Sequence, residues 1–268
     1  MSVSRPPVVM IHGAFCGGWV FDGWRAMFEA QGHRVFTPTL RHHDGGAAPP
    51  RELGATSLAD YTADLEALID DIGEPAAIVG HSMGGLIAQK LAARGKATAL
   101  ILLAPSAPWG VLPSTPFEVM TAQALFMAGD FWRKPLWPER MLASAHALDR
   151  LDDAVRAEVL SRLVPESGLA TFEIMHWPFD LNRASEVAAR AVICPILCFS
   201  GSHDSINPPS TVRRIAKRYR GRVQHRELEG FSHWPMAEPG WEEVVRTALF
   251  WLERIRAEDD EAVRSGGK

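Results

Sequence analysis

Cysteine is scarce in this chain of 268 residues: Cys16, Cys194 and Cys198 are the only three. They match no metal-ligand spacing. Cys194 and Cys198 lie four apart on what reads as one buried strand, where same-strand neighbours do not bridge, so the sparse, odd count points to a reducing compartment. Long hydrophobic runs are also lacking. No stretch approaches 18 apolar residues, and the N-terminal MSVSRPPVVMIHG has no charged region followed by an apolar one. A cytoplasmic protein with no membrane partner is therefore expected. Charge of one sign is missing too, with 28 Lys and Arg against 32 Asp and Glu and a net charge of −4. The densest basic group, Arg213, Arg214, Lys217, Arg218 and Arg220, reads as a solvated helix face and the net balance is not basic, so no nucleic-acid partner is expected.

What is present suits one globular α/β domain: 47% of residues are hydrophobic and 22% charged. Strand patterns are expected at Pro7 to Ile11, Arg34 to Leu40, Ala76 to Gly80, Ala99 to Ala104, Ile193 to Ser200 and Arg222 to Leu228. Helical spacing covers Trp19 to Gln31 (ending at Gly32), Ser57 to Ile72 with Ser57 as N-cap, Leu86 to Arg94, Ser210 to Tyr219 and Trp241 to Arg256. Residues 41–56 are rich in Gly and Pro and read as a loop, and the charged tail from Ala257 as frayed. Alternating strands and helices predict a mostly parallel sheet of about six strands with helices on both faces. Residues 105–190 break this rhythm, with no clear strand and many bulky apolar residues. They divide the chain into a core (1–104 and 191–268) and a helical insertion.

Ligands of such sheets bind beyond the carboxyl ends of the strands, and four chemically distinct parts fall there. Gly80-His81-Ser82-Met83-Gly84 reads G-x-S-x-G at a strand-turn-helix junction, the context in which Ser82 becomes a nucleophile; otherwise it is an incidental serine in a glycine-rich helix start. Asp204, in Phe199-Ser-Gly-Ser-His-Asp204, could orient an imidazole or merely close an Asx-turn. Asp130 and Asp180, within 105–190, are weaker choices. His233, in Gly230-Phe-Ser-His-Trp-Pro, suits a general base, although a lone loop histidine is ordinarily just exposed. The order Ser, Asp, His along the chain favours the catalytic readings together. Last, His12-Gly13-Ala14-Phe15-Cys16-Gly17-Gly18 follows the first strand. Its backbone N–H groups, above all that of Ala14, could join that of Met83 in holding an oxyanion, or the glycines could simply make a flexible turn. His12 is expected to brace this loop rather than do chemistry.

HGAFCGGW, GHSMGG, GSHD and FSHWPMAEP together resemble the α/β-hydrolase superfamily from about Val8 to Ile255. The short start with HGAFCGGWVFDGW is similar to the compact branch that holds methylesterases and hydroxynitrile lyases. The resemblance implies a serine hydrolase with catalytic Ser82, Asp204 and His233, and a variable cap at 105–190. Serine at 82 argues against the aspartate nucleophile of epoxide hydrolases and haloalkane dehalogenases. Trp234, where the lyases carry lysine, argues against cyanide release. The expected reaction is cleavage of a carboxylic ester or lactone of a hydrophobic or aromatic small molecule through an acyl-enzyme on Ser82, without cofactor or metal. The alternatives are a cofactor-free oxygenase, a C–C bond hydrolase, or a catalytically weak binding protein. Phe15, Trp109, Phe126, Trp132, His146, His176, Trp177 and Trp234 are the expected pocket residues, although for most of the aromatics packing the cap onto the sheet is the favoured reading. His42 and His43 are read as possible entrance residues and not as metal ligands. A homo-oligomer is compatible with the sequence.

Overall fold

The computed structural model of the chain describes residues 5–44, 49–219 and 221–266. Residues 45–48 of the expected loop, and Arg220 of the basic group, lie outside them. β1 (Val8–Ile11) leads through α1 (Asp22–Ala30) to β2 (Val35–Phe36), α2 (Leu58–Ile72) to β3 (Ala76–His81), and α3 (Met83–Ala93) to β4 (Ala97–Leu103). A long connection then carries α4 (Pro116–Met127), β5 (Pro135–Leu136), the single turn α5 (Arg140–Leu142), α6 (Asp153–Arg162), β6 (Glu166–Ser167) and α7 (Gly168–Met175). The chain returns to the sheet as β7 (Ile196–Gly201), followed by α8 (Pro209–Ala216), β8 (Val223–Leu228) and α9 (Trp241–Gly266).

The main sheet runs β2-β1-β3-β4-β7-β8, and every neighbouring pair is parallel. Because successive strand residues point to opposite faces, each strand feeds two cores. Val9, Ile11, Ile78, Leu100, Leu102 and Ile196 pack under α2, α3 and α8. Val8, Met10, Val79, Ile101, Leu103 and Phe199 pack under α1 and α9, around Trp24, Phe28, Val245 and Trp251. Burial on both faces explains why β1 and β3 read as unbroken apolar runs.

The departures from the sequence reading have local causes. β2 keeps only Val35 and Phe36 of the expected Arg34-to-Leu40 strand; Pro38 cannot donate to a ladder, and the strand lies at the sheet edge. β7 begins at Ile196, not Ile193, again just past a proline. α3 begins at Met83, three residues before Leu86, because Gly84 and Gly85 are helical here. α9 continues past Arg256 to Gly266, so the tail expected to be frayed is helical over its described residues, with Arg254 and Glu258 paired one turn apart. The connection was expected to lack strands, yet β5 and β6 pair antiparallel, Leu136 opposite Glu166. Two-residue strands leave no alternation to read.

Polar contacts, several of them buried, tie this connection to the sheet layer. Glu166 accepts hydrogen bonds from His43 Nε2 (2.9 Å) and the Tyr61 hydroxyl (2.8 Å). Glu173 accepts from the Ser57 hydroxyl and the Leu58 N–H at the start of α2. Arg218 donates to the carbonyls of Trp109 and Val187, and Arg214 to those of Leu112 and Pro113, so part of the basic group clasps the connection rather than facing solvent alone.

His43 donates from Nδ1 to the Arg41 carbonyl and from Nε2 to Glu166, the pattern of an imidazolium. Burial pulls its pKa down, but the Glu166 charge and hydrogen bond outweigh this and hold it above the ordinary 6.5. Burial raises Glu166, and the His43 charge with three hydrogen bonds brings it below its ordinary 4.5. The histidine's contribution is complete below pH 6.5 and fades as pH climbs through its raised pKa; the glutamate's is complete above pH 4.5 and fades as pH falls through its lowered one. Replacing Glu166 with Gln leaves the site without its charge partner and should cost about 3–5 kcal/mol. The loss, followed by chemical denaturation across pH, should be largest between 4.5 and 6.5 and shrink on either side.

Candidate active site

Ser82 sits between β3 and α3 with φ 51° and ψ −119°, a conformation that L-residues avoid. The glycines beside it have a steric reason. A Cβ on Gly84 would lie 2.2 Å from the Ile11 carbonyl oxygen, and one on Gly80 would lie 2.5 Å from that of Gly84. The Ser82 backbone is held on both sides: its N–H donates to the Leu103 carbonyl (3.0 Å), and its carbonyl accepts from Gly85, Leu86 and Ser106. The side chain is thereby lifted above the carboxyl edge of the sheet, at the amino end of α3.

His233 lies in the loop between β8 and α9, and Asp204 follows β7. His233 Nε2 is 3.1 Å from Ser82 Oγ, and Nδ1 is 2.8 Å from Asp204 Oδ2. An ionised carboxylate only accepts, so Nδ1 carries the proton and Nε2 accepts from the serine hydroxyl. Asp204 is buried and meets both of its readings at once. Oδ2 takes the imidazole N–H, while Oδ1 closes an Asx-turn with the N–H groups of Ile206 and Asn207 (2.8 and 2.9 Å). The Asn207 amide reaches back to the Ala104 carbonyl beyond β4, locking this turn to the neighbouring strand end. Asp130 lies away from this chain of contacts, pairing with Lys134, and Asp180 closes its own turn by accepting from the N–H groups of Asn182 and Ala184.

The Gly13-Ala14 backbone runs against the same point. A Cβ on Gly13 would fall 3.0 Å from the Ser82 Cβ and 2.9 Å from the His81 ring. His12 Nδ1 donates to the Gly13 carbonyl, and its Nε2 accepts from the Leu40 N–H. Burial, then the His43 charge, pulls the His12 pKa down to about 4, so this brace is neutral. No acceptor among the described residues takes the N–H of Ala14, and that of Met83 opens a helix, where the first amides have no internal partner.

Ser82 and His233 open into a cavity of about 680 Å³ that is almost wholly apolar in lining. Phe15, His146 and Trp234 line it, together with Ala14. Trp109, Phe126, Trp132, His176 and Trp177 do not; they pack on one another. Trp109 meets Trp177 edge to face beneath the Arg183 guanidinium, Phe126 stacks on Trp132, and His176 Nε2 donates to the Ala122 carbonyl of α4 (2.9 Å). The walls are instead Phe117, Thr121, Ala124 and Leu125 of α4, with Leu148 and Met175 opposite. No helical period singled these out, because α4 is apolar on nearly every face. His43 is buried against Glu166 and stands away from the entrance.

Two further residues shape the site without any signal in one sequence. His81 Nε2 donates to the His233 carbonyl (2.8 Å), and its ring lies 4.9 Å from that of His233. Burial drives its pKa well below 6.5, so no second positive charge faces His233. Glu238 is buried and accepts from the N–H groups of Ser232 (2.7 Å) and Trp234 (2.8 Å), the residues on either side of His233. Burial pushes its carboxyl up to about 7 against these two hydrogen bonds.

Residues 8–247 match the model of the alpha/beta hydrolase family. The chain is 30% identical over 238 residues to a pimeloyl-[acyl-carrier protein] methyl ester esterase of Chromobacterium violaceum, covering 86% of this chain and 88% of that one. It is 25% identical to epoxide hydrolase 3 of Xenopus tropicalis over 86% of this chain and 67% of that one. Among solved structures it resembles the monoacylglycerol lipase of Paleococcus ferrophilus, with TM-score 0.68, 24% identity, and coverage of 93% and 94% of the two chains.

The Glu238 clasp on the His233 loop can be tested without knowing a substrate. In Glu238→Gln one of the two accepting oxygens becomes an amide NH₂ facing a backbone N–H, and the loop must shift. The rate at which a fluorophosphonate labels Ser82 should fall about tenfold or more, as expected for misplacement of a reacting group. Cooperative unfolding should persist. An unchanged labelling rate would mean that the clasp does not position His233.

Proposed function

This chain belongs to the alpha/beta hydrolase family, and we propose that within it the protein is a serine esterase cleaving the carboxylic ester or lactone of a hydrophobic small molecule. The observation that carries this reading is the hydrogen-bonded series from Ser82 Oγ through His233 to Asp204, placed at the wall of an apolar cavity. The esterase named among the relatives supports ester hydrolysis as the reaction class. The epoxide hydrolase similarity does not extend to the nucleophile that chemistry needs, because position 82 offers a hydroxyl and not a carboxylate.

In the proposed reaction His233 Nε2 takes the Ser82 proton as Oγ attacks the ester carbonyl. The developing oxyanion lies between the N–H groups of Met83 and Ala14, and donors so placed contribute about 10²–10³ each in rate. The imidazolium formed is stabilised by Asp204 and gives its proton to the leaving alcohol oxygen as the C–O bond breaks, leaving the acyl group on Ser82. Water then attacks the acyl-enzyme, His233 accepting its proton and returning it to Ser82, and the acid departs. Residues 105–190 act as the cap that supplies most of the acyl or alcohol pocket.

Ser82→Ala should lower turnover of p-nitrophenyl esters by about 10⁴-fold or more and abolish fluorophosphonate labelling. A variant keeping full turnover would sink the mechanism. Ala124 faces the cavity from α4, so Ala124→Trp should fill part of it. The expected result is a KM for p-nitrophenyl octanoate raised by about tenfold or more, the scale of losing burial of two methylenes, with p-nitrophenyl acetate little affected. Equal effects on both esters would mean that the ester group does not occupy this space.

A further inference from the structure

The helix that walls the cavity carries apolar residues on nearly every face, yet none of its residues is fully buried. α4 carries Phe117, Val119, Met120, Leu125, Phe126 and Met127, and a helix hydrophobic on every side is normally enclosed. Here one side faces the cavity and the other faces out, with Met127 78% exposed. The exposed apolar surface continues across the mouth: Met120 (67%), Trp137 (66%) and Leu142 (49%) line the cavity and face outward at once, and Met141 beside them is 80% exposed. Scattered exposed apolar side chains need no explanation, but a contiguous rim around one opening marks a contact surface.

We propose that this rim docks on an anionic lipid surface, from which apolar ester substrate passes into the cavity. Two observations select that occupant. A rigid protein partner seated on Met120, Trp137 and Leu142 would seal the route to Ser82, whereas a fluid apolar surface covers the same side chains and leaves the route open. The flanking charges also fit: in the stretch 128–142, Arg133, Lys134 and Arg140 outnumber Asp130 and Glu139. Asp130 is paired with Lys134, and the Glu139 carboxylate is engaged by the N–H groups of Met141 and Leu142. The Arg133 and Arg140 guanidinium groups have no ion pair among the described residues, in a chain whose net charge is −4. Apolar side chains with an adjoining basic fringe hold a protein at an anionic interface without spanning it. No helix among the described residues is long and apolar enough to cross a membrane. Peripheral docking departs from the sequence expectation of no membrane partner, which rested on the lack of a spanning segment.

The direction of substrate travel rests on the esterase reading, but the docking test does not. Ser82→Ala protein is sedimented with vesicles of phosphatidylcholine alone and of phosphatidylcholine mixed with phosphatidylglycerol. Binding to the mixed vesicles is expected to exceed binding to the neutral ones, and to fall about tenfold or more in Met127→Gln/Met141→Gln, the scale expected from withdrawing two apolar side chains from an interface. Neither methionine lines the cavity, so the same pair of changes made in the wild-type chain should leave hydrolysis of monomeric p-nitrophenyl acetate unchanged. Arg133→Gln/Arg140→Gln should remove the preference for the mixed vesicles. No sedimentation with either vesicle, or equal sedimentation of the methionine variant, overturns the proposal. So does a wild-type dimer in solution that the methionine variant loses, which would assign the rim to a second copy of the chain. Docking without esterase activity would overturn the reading of Ser82 and leave this one standing.

Discussion

The tight crossing of β3 and α3 is the constraint on which the rest of the site depends. Where Gly80 faces Gly84, and Gly84 faces the end of β1, there is room for hydrogen atoms and nothing larger. The chain can make this approach only by turning through a strained residue at Ser82, at a cost of about 1–3 kcal/mol. Four backbone hydrogen bonds, one donated to Leu103 and three accepted from Gly85, Leu86 and Ser106, hold Ser82 against relaxation. That turn has two consequences. It stands the hydroxyl clear of the sheet edge, and it makes Met83 the first residue of a helix, with a free N–H beside that hydroxyl. The nucleophile and the oxyanion donor of the proposed reaction are thus two results of one backbone geometry.

The other parts of the site are arranged around this fixed point by charge and hydrogen-bond accounting. Asp204 is the carboxylate in contact with His233, and its second oxygen is already committed to the turn that places it. His81 and His12 are both neutral for the same reason, burial, so each can brace a backbone carbonyl without repelling an imidazolium at His233. Glu238 contributes through peptide groups and not through its distance to the reacting atoms: it fixes the residues before and after His233, while His81 fixes the carbonyl of His233 itself.

Much of this framework was legible in the sequence because its signals are local. Gly80 to Gly84, the loop from His12 to Gly18, and the positions of Asp204 and His233 each belong to the end of one recognisable strand. The parallel sheet followed from apolar runs with helices between them. The contacts that escaped reading are those made across long separations or by residues without a period. His43 and Glu166 stand 123 positions apart, and Tyr61 joins them from a third element. The pocket wall escaped for a different reason. The tryptophans of 105–190 are the largest apolar side chains there, and size favours mutual packing as much as contact with a ligand. Trp109 with Trp177, and Phe126 with Trp132, took that course. Phe117, Thr121, Ala124 and Leu125 of α4 face the cavity instead, and a helix apolar on nearly every face gives no pattern to detect.

In the proposed reaction this division also separates what performs chemistry from what selects the molecule it acts on. Ser82, His233 and Asp204 rest on strand ends of a sheet buried on both faces, where displacement would disturb two cores at once. The cavity wall rests on a connection joined to the sheet layer by a few polar links: Glu166 to His43 and Tyr61, Glu173 to the start of α2, and, nearer the surface, the arginines Arg214 and Arg218. Substitutions on the inward side of α4 alter cavity volume without touching those links or the strained turn. On its outward side Met120 and Met127 are exposed, so these residues answer to whatever the rim meets more than to the stability of the fold.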